Sequence, residues 1–353
     1  MCVMKSIGFA GTAKNTGKTT TASKVLSTLR ENGQRIAVTS IGYDGENIDN
    51  VTGLPKPLYY LKAGDIIATA EQCLKVSKST DYRLLETTGI QTILGEIQIV
   101  EIIENRTYTI AGPNRRTDLE QVLGRLSALH VDVTLIDGAL NRIVPMICAD
   151  GIVISTGASY DEDIAGTAQH IDGIAHLFTY NRLADAQGIK NIELQLQSGE
   201  MVTIPSTSLI TDETFEAIRL YLNRDICRLT IPGACYPAML ARILENLPND
   251  ILLKEVVLGN PLFLIASGDP VDRKTTLSKY EQRGVRIGYT ETLPLMFVTV
   301  SPFYPRYLQK SHTYEPAYVD ARDLLDEIKS RIPHVTVINV EEVNPSELLA
   351  LLQ

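Results

Sequence analysis

The segment Gly11-Thr12-Ala13-Lys14-Asn15-Thr16-Gly17-Lys18-Thr19-Thr20 constrains this chain more than any other. Before it, Ser6 to Ala10 reads as a short buried strand. After it, Lys18 to Glu31 reads as a helix ended by Asn32-Gly33, and Arg35 to Ile41 is the next apolar, β-branched run. Strand, loop, helix, strand is a βαβ unit, whose crossover calls for parallel pairing in an α/β sheet. A loop so placed wraps backbone N–H groups around a polyphosphate and aims a helix N-terminus at it. Gly17 permits close backbone approach, Lys18 would neutralise the β- and γ-phosphates, and the Thr19 hydroxyl would complete the shell of a Mg²⁺. The bland reading is a Gly/Thr turn with no nucleotide. One departure from the usual spacing stands out: Thr12 occupies the position six before Lys18, and Gly11 lies one residue earlier.

Carboxylates just past strand ends deserve weight, because ligands of open parallel sheets collect there. Val131 to Ile136 is an apolar strand closed by Asp137-Gly138, which resembles a Walker B element; Asp137 would hold Mg²⁺ directly or through water, and Gly138 would let the chain turn beneath the phosphates. Asp44 and Glu46 follow the Arg35–Ile41 run within Gly42-Tyr43-Asp44-Gly45-Glu46, two apart and so pointing the same way in an extended loop. There they would hold metal or position water near the γ-phosphate. The alternative for both is an acidic turn.

The 353 residues suit two or three domains, and 44% hydrophobic with 21% charged is ordinary for a folded globular chain. A net charge of −9 is the wrong sign for a surface built to neutralise nucleic acid or anionic lipid, so neither is the expected partner. Five scattered cysteines without a Cys-x-x-Cys argue against a disulfide framework or a zinc site. With no apolar run long enough to span a membrane and no signal-like start, the expected address is the cytoplasm.

From Tyr43 to about Pro113, glycines and prolines punctuate short Ile/Thr/Tyr-rich pieces, an inserted β-rich segment. Thr117 to Leu129 is an amphipathic helix, and Ala149 to Ser155 a further strand. The expected domains are residues 1–183, with the insertion at about 43–113, and a second α/β domain over residues 184–353. That second half reads as an Ile192–Ile204 hairpin, helices near Asp212–Asn223, Pro237–Leu247, Arg273–Arg283 and Val319–Arg331, and strands at Cys227–Ile231, Ile251–Leu258, Leu262–Ala266 and Val335–Val340.

The loop resembles those of dethiobiotin synthetase and the amide-forming cobyric acid synthases. The wider set of blocks is more particular: the loop itself, Thr39 to Glu46, Val51 to Pro57, Ala111-Gly112-Pro113, Leu135 to Arg142 and Thr156-Gly157-Ala158. Over roughly residues 5–160 it resembles the P-loop subunit of the reactivating factor for lysine 5,6-aminomutase and ornithine 4,5-aminomutase. That resemblance implies a P-loop NTPase sheet binding ATP and Mg²⁺ through residues 11–20, with Lys18, Asp44 and Asp137 catalytic and Thr19, Asp44, Glu46 and Asp137 at the metal. It implies as partners an adenosylcobalamin-dependent aminomutase and a MutS-like ATPase subunit, with the second half as the docking region. It also leaves room for a homodimer in which Lys14 adds a second charge at the phosphate. Two other readings compete: an ATP-dependent synthetase or amide ligase, and a scaffold that binds nucleotide without turnover.

Overall fold

A computed structural model describes residues 4–42, 59–75, 80–183, 188–248, 252–309 and 312–352. The chain forms two compact units, Met1–Ala168 with Pro294–Gln353, and Gln169–Leu293. Among the described residues no helix is long and apolar enough to cross a membrane.

The first unit opens with β1 (Lys5–Gly11), α1 (Lys18–Glu31) and β2 (Ile36–Ser40), as the βαβ reading expects. It continues through β3 (Tyr59–Leu61), β4 (Ile66–Ala70), α2 (Glu71–Leu74), β5 (Tyr82–Thr92), β6 (Gly95–Ile102) and β7 (Arg106–Tyr108). Then come α3 (Arg116–Ala128), β8 (Val133–Ala139), β9 (Gly151–Gly157) and α4 (Ile164–Leu177), within which the unit boundary falls. The second unit holds β10 (Ile192–Leu196), β11 (Met201–Ile204), α5 (Asp212–Arg219), β12 (Ile226–Ile231), α6 (Pro237–Asn246), β13 (Glu255–Leu258), α7 (Pro261–Ala266), α8 (Pro270–Gln282) and β14 (Arg286–Tyr289). The chain then returns to the first unit with β15 (Leu295–Ser301), β16 (Phe303–Leu308), β17 (Thr313–Tyr318), α9 (Ala321–Arg331), β18 (Val337–Ile338) and α10 (Pro345–Leu351).

The first unit is built on a nine-stranded sheet of order β18-β15-β9-β1-β8-β2-β4-β6-β5. From β18 to β4 every pairing is parallel, and β6 and β5 add an antiparallel edge. Within the β-rich segment β4, β6 and β5 thus extend the central sheet, while β3 and β7 pair as a separate two-stranded sheet. From β1 the chain crosses to β2 on one side and later places β9 on the other, so the strand order reverses at β1 and opens a crevice at its carboxyl end. Ile7 and Phe9 of β1 are fully buried and share a core with Ala22, Val25, Leu26 and Leu29 of α1. At about 1.5–3 kcal/mol for each large apolar side chain sealed from water, that shared core anchors the helix whose start faces the crevice.

The second unit has a five-stranded sheet, β11-β10-β12-β13-β14, in which β10 and β11 form the expected hairpin and β12, β13 and β14 run parallel. Two expectations need correction. Residues 294–353 do not belong to a second domain: β15 pairs in parallel with β9 and extends the first sheet. Its apolar run is the kind that two covered faces demand, and β9 offered an open edge to receive it. Leu262–Ala266 is helical rather than extended, because Asn260 Oδ1 accepts from Leu262 N at 2.9 Å and Pro261 occupies the first helical position.

Candidate functional site

The loop between β1 and α1 is held open by backbone geometry. Asn15 and Gly17 both take positive φ, 65° and 86°, which tips successive peptide planes toward one concavity. Gly17 is the N-cap of α1 and offers no side-chain acceptor, and the first turn contains no acidic residue. The positive end of the α1 dipole therefore meets the crevice without an acidic side chain of its own first turn to offset it. A side chain at position 17 would be strained at that φ and would press on Ser301, its Cβ 3.3 Å from the Ser301 Cβ.

The rest of the loop is tied down around it. Thr12 N donates to Ser155 O at 2.9 Å, and its hydroxyl donates to that of Thr156 at 3.0 Å. The Thr16 hydroxyl donates to Ala13 O at 3.0 Å, and Gly11 closes β1 in register with Ala139 and Ser155. Ser159 Oγ lies within reach of two carbonyls, Asn15 O at 3.2 Å and Phe303 O at 2.8 Å, so it links the loop to the start of β16. Thr19 and Thr20 lie in the first turn of α1, half-buried, and Lys14 is exposed on the loop.

Lys18 Nζ reaches across the crevice to Asp137 Oδ1, 2.7 Å away, with both side chains largely buried at 14% and 13% exposure. Lys18 opens α1 just after the loop that leaves β1, and Asp137 stands on β8 opposite Phe9 of β1 and Ser40 of β2. The expected strand-end aspartate is therefore in contact with the loop lysine. Gly138, expected at a turn, lies inside β8, and the space its side chain would fill is taken by the Met146 methyl. Asp44 and Glu46 lie outside the described residues.

Three residues that the spacing did not single out complete the surroundings. Asn114 Oδ1 and Arg142 Nη1 crowd Gly42 at the end of β2, 2.5 Å and 3.0 Å from where a Cβ would stand. Tyr59, 6% exposed, sets its hydroxyl beside Asp137; burial first, and then the carboxylate, push its pKa well above the usual tyrosine value. No signal for Tyr59 was available along the chain, since contact with Asp137 depends on how β3 packs. Among the described residues no group of three or more His, Cys, Asp or Glu side chains could form a metal cage. Thr19 and Asp137 instead carry side-chain oxygens of the hard kind that divalent cations take.

A parallel sheet reversing at β1, a nested loop, an uncapped helix start and an ion pair from the first residue of α1 to Asp137 of β8 define a P-loop α/β fold. No protein-family model matches the chain, and no curated protein matches it. Among solved structures it is similar to cobyrinic acid a,c-diamide synthase from Mycobacterium smegmatis with bound ATP analogue and magnesium, at 14% identity and a TM-score of 0.25. The match takes in 44% of this chain and 59% of that one. A ParA family ATPase from Chlorobium tepidum TLS is similar at 15% identity over 47% of this chain and 65% of that one, with a TM-score of 0.23. The signal recognition particle receptor FtsY from Elizabethkingia anophelis is similar at 9% identity over 92% of this chain and 65% of that one, with a TM-score of 0.24.

Proposed function

We infer that this chain binds ATP with Mg²⁺ at the Gly11–Thr20 loop and hydrolyses it slowly. The observation that carries this reading is the Lys18–Asp137 pair at the mouth of uncapped α1. A lysine held by a carboxylate is a cation stored where a polyphosphate would rest, and the carboxylate it leaves is a ligand for the accompanying metal. Lys18 and the N–H groups of residues 13–19 would hold the phosphates. Thr19 and Asp137 would hold Mg²⁺, which would supply neutralisation of the phosphate charge. Asp44 and Glu46 would set the attacking water. Calorimetry with Mg·ATP and Mg·GTP, together with phosphate release, tests this; binding of neither nucleotide overturns it.

The finer assignment, to the reactivating factor of an adenosylcobalamin-dependent aminomutase acting with a MutS-like ATPase subunit, rests on the sequence blocks of residues 5–160. Its chemical logic is that a radical cofactor which fails to recombine leaves a tightly held inert cobalamin, and releasing it requires shifting the mutase's conformational equilibrium. The test is to inactivate such a mutase with substrate, then add this chain, the second subunit, fresh adenosylcobalamin and ATP. Activity should return with wild-type chain and not with Lys18→Ala; equal recovery with both removes the ATP-driven reading.

A further inference from the structure

Tyr59 opens β3 against Tyr108 of β7, and its ring lies in the core shared with Val38 and Leu135. The ring is only 6% exposed, and its buried hydroxyl lies within reach of the Asp137 carboxylate without a well-formed hydrogen bond to any described residue. Buried hydroxyls are nearly always bonded, because a lone one forfeits about 1–3 kcal/mol of hydration. The group beside it is the Asp137 carboxylate, whose Oδ1 is sealed from water and engaged by Lys18 at 2.7 Å. Tyr59 thus lies next to a buried carboxylate that is paired with Lys18.

We propose that Tyr59 is a positioning residue for Asp137: when Lys18 turns to a bound phosphate, the Tyr59 hydroxyl donates to the carboxylate in its place. This rests on the reading of Asp137 as the metal-side carboxylate. A neutral donor fixed by core packing holds the carboxylate in one rotamer after Lys18 has left, without the competing charge that a second lysine would bring.

The experiment measures the Mg²⁺ concentration that half-saturates ADP binding, with a fluorescent ADP analogue, in wild type and Tyr59→Phe. Loss of a partner that orients a metal ligand costs metal affinity about tenfold or more, so the midpoint should rise by about that factor. ADP affinity in excess chelator should stay within about twofold, and the thermal midpoint should be equal or higher, since the phenyl ring keeps the packing and removes an unsatisfied hydroxyl. In an Asp137→Asn background, Tyr59→Phe should shift the Mg²⁺ midpoint no further. An unchanged midpoint in Tyr59→Phe, or an equal loss with and without Mg²⁺, overturns the role of Tyr59 alone. Wild-type chain that binds no nucleotide with Mg²⁺ overturns the nucleotide reading beneath it.

Discussion

The hydroxyls of Thr21 and Thr299, 278 positions apart in the chain, meet at 2.9 Å in the interior of the first unit. Thr299 also donates to Ser155 Oγ at 2.8 Å, and Ser155 lies 3.3 Å from the Thr21 hydroxyl. This closed set of hydroxyls joins α1, β9 and β15 one turn beyond Lys18. Every member is buried, so each depends on the other two for the bonds that water would otherwise make. The helix that carries the loop is therefore fastened to a strand from the far end of the chain.

Thr299→Val should destabilise the first unit by about 1–3 kcal/mol, since a methyl of the same shape leaves Thr21 and Ser155 short of a partner in the interior. Urea unfolding checks this. Thr299→Ser, which retains the hydroxyl, should recover most of the loss.

Lys18→Ala should weaken Mg·ATP binding by about a hundredfold or more. Removing one member of a buried ion pair forfeits the phosphate contact, at about 2–5 kcal/mol. The same change leaves Asp137 without its lysine, so Lys18→Ala protein should also melt lower than wild type in the absence of nucleotide. Calorimetry and a thermal scan read the two effects separately.

Gly17→Ala should cost about 1–2 kcal/mol, because φ of 86° is unfavourable for any residue with a Cβ. The added methyl also presses toward Ser301, so nucleotide affinity should fall more than stability does. Comparing Kd for ADP with the unfolding midpoint in the same variant tests the order of the two.

In the second unit, burial pushes the Cys235 thiol up from 9.0 to about 12, with Arg273 pulling only partly against it. The folded thiol thus keeps its proton where the unfolded one loses it. Between pH 9.0 and about 12 the unfolded state binds fewer protons, so stability falls as pH rises through that window. Cys235→Ala should flatten the alkaline arm of the stability profile. At pH 8, iodoacetamide should label Cys235 only after unfolding, as mass spectrometry of the modified peptide would show.

Much of the first unit is legible along the chain because it is written in local terms. An apolar run, a Gly/Thr/Asn loop and a helix-period stripe place β1, the loop and α1, and an apolar run stopped by a carboxylate places β8 and Asp137. Each depends on neighbours within a few residues, which is the range over which periodicity and capping act. The Ile192–Ile204 hairpin is legible for the same reason.

Other features are decided between segments distant in sequence. The run from Leu295 to Ser301 is apolar enough to be a buried strand of either sheet, and only the open edge of β9 settles which. Asn260-Pro261 outweighs the strand-like composition of Leu262–Ala266 because one capping hydrogen bond and a preset φ start a helix there. The lysine and aspartate that face the crevice were each identifiable alone, and so was the phosphate-binding chemistry they suggest. Their 2.7 Å contact, the buried hydroxyl of Tyr59 beside it and the anchoring of α1 to Thr299 belong to the tertiary structure. Strand order and packing, which no local pattern encodes, bring those atoms together.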